Sequence, residues 1–141
     1  MAQVRKSKAA YRRSGTVAIE YGLVLPLLLM FTLGVMDAGR LFWAFITLNR
    51  ATEAAARCGA VNTTLCPAAS IPTYAVQQAW GLNGVTAAAF TVTNPACGVQ
   101  VHATYTFKFV IPWFPWYGPT TPFGSANSMT LNATACYPPQ S

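Results

Sequence analysis

Residues Arg12-Arg13-Ser14-Gly15-Thr16-Val17-Ala18-Ile19-Glu20-Tyr21 join a basic leader to the apolar run 22–36. A lone acid, Glu20, stands at the join. Because an ionised side chain beside lipid is costly, such a residue is a functional-site hypothesis by default. This succession of basic, small, acidic and apolar residues therefore predicts a membrane helix with a functional site at its start.

The apolar segment just reaches the length of a membrane span. A span needs about 20 predominantly apolar residues, and residues 16–36 supply them with Glu20 as the exception. Basic residues mark the cytoplasmic side of a span. Residues 1–15 are therefore expected in the cytoplasm and the rest of the chain outside it, because the leader contains five basic side chains: Arg5, Lys6, Lys8, Arg12 and Arg13.

A cleaved secretory signal is the alternative for the same segment, with removal after Ala38. Two features of the sequence disfavour it. Glu20 interrupts the passage from basic to apolar residues, and no small-x-small cleavage site ends the run cleanly. The segment is therefore predicted to stay as a membrane anchor.

A helical pattern continues beyond the span. Polar residues recur at steps of three or four, which predicts a polar stripe along one helix face: Asp37, Arg40, Thr47, Arg50, Glu53 and Arg57. Phe42, Trp43 and Phe45 fall near the outer membrane interface, where aromatic rings commonly anchor. Gly59 is a natural helix stop. These signals divide the chain into a leader (1–15), a long helix (16–58) that is transmembrane in its first half, and an outer domain (59–141).

The outer domain changes to a period of two. Residues 73–80 form a short predicted helix, and three later stretches alternate apolar with polar residues, around 88–93, 99–109 and 129–137. Such alternation indicates strands with one buried face. The predicted fold is α+β: a long N-terminal transmembrane helix continuing into a small extracytoplasmic domain with a short helix and a three-stranded antiparallel sheet.

Four cysteines, Cys58, Cys66, Cys97 and Cys136, all follow the span. Four cysteines allow three pairings. We predict Cys58–Cys66, which closes a short loop, and Cys97–Cys136, which antiparallel strands would bring together. A zinc site is the alternative, but the spacing is wrong for a compact cluster of four ligands.

Charge and motif content argue against catalysis and nucleic-acid binding. The acids Glu20, Asp37 and Glu53 are far apart on one predicted helix, and after Cys58 the only charged side chain is Lys108. His102 is the only histidine and lies on the polar side of a strand. We therefore expect no enzyme activity, no metal, no cofactor and no nucleic-acid partner.

The segment 111–124 combines five aromatic residues with four prolines, which favour extended and turn conformations. Its aromatic side chains could form an exposed adhesive or docking surface. Alternatively, they could complete a small core or rest on the membrane surface. This second interpretation is slightly favoured over an exposed interface. The possible interface residues are Trp113, Phe114, Trp116 and Tyr117.

Taken together, these motifs resemble the TadE-like pseudopilins of tight-adherence (Tad, Flp-type) pilus systems. The resemblance rests on the run 15–21, the apolar run 23–29, the motif Asp37-Ala38-Gly39-Arg40 and the alanine-rich segment 49–57. It is densest over residues 13–60. Beyond residue 60 only the order of helix and strands is similar.

The resemblance implies that a prepilin peptidase cuts between Gly15 and Thr16, which leaves glutamate fifth and tyrosine sixth in the mature chain. The new α-amino group of Thr16 could then be neutralised by Glu20 of a neighbouring subunit, and Glu20 and Tyr21 would act in subunit assembly. An ordinary anchor with Glu20 reaching for the interface is the simpler alternative.

The resemblance implies a structural or assembly subunit of a Tad-type (type IVb-like) pilus. Its implied location is the bacterial inner membrane, and it could also be incorporated into the extracellular pilus. Its implied partners are other pilin or pseudopilin subunits in a homo- or hetero-oligomer, the assembly platform, the prepilin peptidase and membrane lipid. A major pilin of the filament and a membrane-anchored periplasmic binding module are the alternatives.

Overall fold

The computed structural model describes the backbone of residues 4–110 and 127–138, and the side chains from residue 17 onward within those ranges. The elements are helix α1 (Val4–Val61), helix α2 (Ile71–Gln78), a 3-10 turn (Ala87–Ala89) and strands β1 (Phe90–Thr93), β2 (Val99–Lys108) and β3 (Ser128–Tyr137). The predicted α+β class, with one long helix, one short helix and three strands, is confirmed.

The chain divides into two units, Met1–Met36 and Asp37–Ser141. In the described part of the first unit, residues 17–36, every residue except Gly34 is exposed, although most of the side chains are large and apolar. Pro26 lies within the helix. The apolar part of α1 is long enough to cross a membrane, as the sequence predicted.

The second unit contains the sheet, whose strands are antiparallel in the order β1-β2-β3. The ladder pairs Phe90 with Ala103 and Val101 with Ala135. Alternate residues of β2 and β3 are buried, and the residues between them are exposed. The period of two in the sequence therefore marks one buried face and one exposed polar face, as predicted.

The buried face of the sheet belongs to one core with α2 and the later turns of α1. Helix α1 contributes mostly small side chains, whereas the strands contribute the bulky ones. The α1 residues recur at steps of one, three or four, which is the pattern of a single buried helix face. They are Ala44, Leu48, Ala51, Ala55 and Ala56.

The end of α1 differs from the prediction. The helix continues past Gly59 to Val61, and the Asn62 N–H still donates to the Cys58 carbonyl at 2.9 Å. Gly59 is buried, and a Cβ there would lie 2.6 Å from Ile71 Cδ1 and 3.1 Å from Val99 Cγ1. Gly59 therefore permits close packing and does not end the helix.

Both helices also begin earlier than predicted. The sequence placed the start of the long helix at Thr16, but α1 begins at Val4. The leader is rich in lysine, arginine and alanine, which are good helix formers, so it continues the helix in the N-terminal direction. Helix α2 begins at Ile71 and not at Thr73, with Pro72 in its first turn, where a missing N–H costs no helical bond.

The predicted polar stripe of α1 is only partly exposed. Arg50, Glu53 and Arg57 are exposed as expected, but Asp37 and Thr47 are buried, at 2% and 7% exposure. Three- and four-residue spacing places polar residues on one side of a helix without showing which turns are covered by other elements. Asp37 and Thr47 therefore belong to the predicted stripe by their spacing, but other parts of the fold cover them.

Asp37 joins α1 to the end of β2. One carboxylate oxygen accepts a hydrogen bond from the Arg40 guanidinium at 2.9 Å, and the other accepts the Val110 N–H at 2.9 Å. The Arg40 guanidinium also lies 5.5 Å from the centre of the Phe107 ring. A buried carboxylate needs such partners, because an unpaired one would be strongly destabilising.

Two disulfides close the outer domain, Cys58–Cys66 and Cys97–Cys136, and both pairings agree with the prediction. The first ties the end of α1 to the loop that follows. The second ties the segment before β2 to β3, across Cα atoms 6.3 Å apart. Loop-closing bridges of this kind contribute about 2–4 kcal/mol each.

The space beside Gly59 gives a first prediction. Gly59→Leu should lower the free energy of unfolding by about 1–3 kcal/mol, because the added side chain must displace buried Ile71 and Val99. The measurement is urea unfolding of the full chain in detergent, followed by near-UV circular dichroism. Gly39→Leu is the matched control, since no residue of the described ranges lies within 4 Å of a Cβ there. Equal stability of the two variants would contradict the packing role of Gly59.

The Asp37 contacts give a second prediction. Asp37→Ala should lower the free energy of unfolding by about 1–3 kcal/mol, because the Val110 N–H and the Arg40 guanidinium lose their acceptor. Asp37→Asn should lose less, because its amide oxygen can still accept from Val110. The same unfolding assay applies, with exposed Glu53→Ala as the control for loss of an acid on this helix. If Asp37→Ala behaves like Glu53→Ala, the contacts of Asp37 do not stabilise the fold.

Candidate functional site

The residues predicted for processing and assembly all lie on α1. Gly15 and Thr16 lie within the helix, and their side chains are outside the described part of the structure. Glu20 and Tyr21 are exposed. Because four residues of an α-helix rise about 6 Å, Glu20 lies one turn beyond the peptide bond that joins Gly15 to Thr16.

The surroundings of Glu20 are apolar. Ile19 is 68% exposed, Tyr21 70% and Leu23 74%, so the acid stands on a helix surface made of large, uncovered side chains. Within residues 17–110 and 127–138 no side chain forms an ion pair with Glu20. A charge in this setting can be neutralised by a group of another molecule, or its side chain can extend to a membrane surface.

The cysteines form no metal site, because all four are held in the two disulfides. His102 is exposed on the polar face of the sheet, as predicted, and its Nδ1 forms a hydrogen bond with Thr134 Oγ1 at 2.8 Å. Across the described ranges no three histidine, cysteine, aspartate or glutamate side chains come close enough to hold a metal ion.

The aromatic residues Trp113, Phe114, Trp116 and Tyr117 lie outside the described residues. The described residues on either side of that segment pair with each other at one end of the β2–β3 ladder, where Lys108 lies opposite Ser128. There the Phe109 N–H donates to the Asn127 carbonyl at 2.9 Å. The prediction that these aromatic residues form an interface remains a prediction.

Two features that sequence reasoning missed lie in the second unit, near its first residue. One is the buried carboxylate of Asp37 with its contacts to Arg40 and Val110. The other is an edge-to-face contact of Trp43 with Trp80, whose ring centres are 5.5 Å apart. Trp43 was predicted to lie at the membrane interface, but no local signal could reveal that Trp80, from beyond the end of α2, would pack against it.

Comparison with family models matched residues 15–57 to the TadE-like protein family. Comparisons with curated proteins and with solved structures found no match. The matched segment begins at Gly15, includes Glu20 and ends at Arg57 on the exposed side of α1. It thus contains the proposed processing site, the apolar part of α1 and the face that α1 buries in the core. We call this face, which is made mostly of Ala44, Ala51, Ala55 and Ala56, the small-residue face of α1. The resemblance seen in the sequence is confirmed: residues 15–57 are similar to the TadE-like protein family.

Proposed function

We propose that this protein is a prepilin-like structural or assembly subunit of a Tad-type pilus. In this proposal the chain is inserted in the bacterial inner membrane with the basic leader in the cytoplasm and the disulfide-bonded domain in the periplasm. Its role is to pack against other subunits, and it catalyses no reaction. A prepilin peptidase removes the leader before assembly.

One observation carries the proposal. The TadE-like match starts at Gly15, and one turn later an exposed Glu20 stands on a helix whose large apolar side chains are almost all uncovered. A plain membrane anchor needs apolar residues but gains nothing from an acid among them. A subunit that packs beside copies of itself or its relatives can use the acid to bind a positive group.

Processing would create that positive group. Cleavage between Gly15 and Thr16 exposes an α-amino group, which is largely protonated near neutral pH. A Glu20 carboxylate from a neighbouring subunit could pair with it, so that neither charge remains isolated in the apolar layer. The same cut removes five basic residues, Arg5, Lys6, Lys8, Arg12 and Arg13, which hold the leader in the cytoplasm.

Cleavage by the peptidase can be tested directly at the bond between Gly15 and Thr16. When the chain is produced with its prepilin peptidase, protein extracted from the membrane should begin at Thr16. Gly15→Val should keep the leader, because a branched side chain replaces the small residue that precedes the scissile bond. N-terminal sequencing and intact mass measure both outcomes.

Gly22→Val is the matched control for this test. No described residue lies within 4 Å of a Cβ at Gly22, so the variant adds the same branched side chain to the helix without crowding the described part of the structure. It should be processed like the unmodified chain. A natural start near residue 39 would indicate a secreted protein, and an intact leader would indicate a plain anchor. Either result contradicts the prepilin assignment.

The role of Glu20 gives a separate prediction. Glu20→Ala should insert normally but enter pili, or complexes with other pilin subunits, on the order of tenfold less. The α-amino group of Thr16 on the neighbouring subunit would then be unpaired, and an unpaired charge costs about 2.5–3.5 kcal/mol at the centre of the membrane and less near its surface. Immunoblots of sheared pili and of crosslinked membranes measure incorporation. Carbonate extraction measures insertion.

Glu53→Ala serves as the matched control, since Glu53 is an exposed acid of the same helix in the second unit. It should be incorporated normally. Unchanged incorporation of Glu20→Ala would remove the charge-pairing step, whereas loss of insertion would show that Glu20 acts earlier than assembly.

The abundance of the protein in isolated filaments separates the remaining alternatives. A major pilin should be the principal protein of the filament, whereas a priming, capping or joining subunit should be present at a small fraction of it. A periplasmic binding module should remain in the membrane when filaments are removed by shearing.

A further inference from the structure

The connection between α2 and the 3-10 turn contains the dipeptide Asn83-Gly84. Both residues are exposed and lie in a turn. Gly84 has a φ of +79°, which glycine adopts without strain, and no described residue lies within 4 Å of a Cβ at this position. The turn therefore places a small, uncrowded residue directly after an exposed carboxamide side chain.

An asparagine that is followed by glycine can react with its own backbone, and asparagine is accordingly one of the thermally labile residues. The backbone nitrogen of the next residue attacks the side-chain carbonyl carbon, a five-membered imide ring forms, and ammonia leaves. Water then opens the ring and leaves aspartate or isoaspartate. A side chain on the next residue hinders the attack, and Gly84 has none. In this turn the Gly84 nitrogen would attack Cγ of Asn83.

The fold adds a group that activates this nitrogen. The Tyr105 hydroxyl donates a hydrogen bond to the Asn83 carbonyl oxygen at 3.3 Å. That carbonyl and the Gly84 nitrogen belong to one peptide group, so the negative charge that forms when the nitrogen loses its proton is shared with this oxygen. A donor aimed at developing charge lowers the barrier, and an amide nitrogen is a weak nucleophile that needs such help.

The donor comes from a distant part of the chain. Tyr105 lies in β2, 22 residues after Asn83, and the ladder places it opposite Leu131 of β3. Its ring packs against the core of the domain, and only the hydroxyl reaches the turn. Among the described residues none accepts a hydrogen bond from the Gly84 N–H. The reacting nitrogen is thus free of hydrogen-bonded partners there, while its carbonyl is held.

Two other asparagines of the domain lack this arrangement. Asn62 is followed by the β-branched Thr63, and its side-chain oxygen accepts the Leu65 N–H at 3.0 Å. Asn132 is exposed but is followed by Ala133, and both lie inside the continuous β2–β3 ladder. A ladder holds the backbone extended, so the nitrogen after Asn132 cannot swing toward its side chain. These two residues are therefore internal comparisons for Asn83.

The product would change the charge of a domain that has almost none. From residue 59 onward the only charged side chain is Lys108. A carboxylate at position 83 would take the formal charge of residues 59–141 from +1 to 0. Isoaspartate would also add one carbon to the backbone of the turn, at the point where Tyr105 holds it.

We propose that Asn83 is a site of spontaneous deamidation, with the Gly84 nitrogen as the nucleophile and the Tyr105 hydroxyl as the donor that activates it. The reaction consumes one water, releases one ammonia and needs no enzyme or cofactor. It converts the turn between α2 and β1 from a neutral to an anionic form. It proceeds whether or not the chain joins a pilus, so its test is independent of the proposed function.

Incubation of the purified full chain in detergent at mildly alkaline pH tests the site. Peptide mapping by mass spectrometry follows each asparagine, and conversion appears as a gain of about 1 Da. Asn83 should convert first, while Asn62 and Asn132 remain amides. Tyr105→Phe should slow the conversion of Asn83 about fivefold, which is the change expected for loss of one ordinary hydrogen bond.

Tyr74→Phe is the matched control. Tyr74 also packs against the core, but its hydroxyl forms no hydrogen bond with a described residue. The variant should convert Asn83 at the rate of the unmodified chain. Near-UV circular dichroism and the absence of free thiols verify that both variants fold.

Hydrogen exchange of the Gly84 N–H separates activation from a change of structure. Base-catalysed exchange passes through the same deprotonated nitrogen as the attack on Asn83, so it should be slower in Tyr105→Phe than in the unmodified chain. Faster exchange would show that Tyr105 only holds the turn together, and would overturn its assigned role. Equal rates of conversion would show that the dipeptide reacts without help from the fold, which also overturns that role. If Asn83 remains an amide, the site itself is wrong.

Discussion

The buried core that the small-residue face of α1 shares with α2 and the sheet is the packing on which the rest of the outer domain depends. Ala51, Ala55 and Ala56 are fully buried, yet each has a single side-chain carbon to contribute. Their value is that they let bulkier residues approach the helix axis. Phe90, Val101 and Phe107 supply the apolar area from the strands. A core of this kind is small, which explains why two disulfides accompany it.

In the first unit the same helix exposes its apolar side chains instead of burying them. From residue 17 to residue 36 its apolar side chains are large, and nothing in the described structure covers them. A soluble helix would not expose such a surface, because each uncovered leucine or phenylalanine forgoes about 1.5–3 kcal/mol of burial. The lipid and neighbouring helices of the proposed function would cover this surface. Glu20 is the one acid in the uncovered surface, and it is the residue that an anchor alone does not explain.

Sequence periodicity was sufficient for the elements whose environment is uniform. The apolar run gave the span, the period of two gave three strands, and the positions of Cys97 and Cys136 relative to those strands gave their pairing. Periodicity failed where the decisive neighbour is distant. Asp37 is buried, and its carboxylate accepts the N–H of Val110, 73 residues later. Gly59 has the signature of a helix stop, but its role is set by Ile71 and Val99. Local spacing contains no information on such contacts.

The family match covers part of each of the two units of the chain. It runs from Gly15 to Arg57 and so includes both the uncovered apolar helix and most of the small-residue face. That face is buried only because strands outside the match supply Val101, Phe107 and Leu131. In this chain the matched segment therefore depends on a following domain that supplies bulky apolar residues. The matched helix and the unmatched strands thus build one core together.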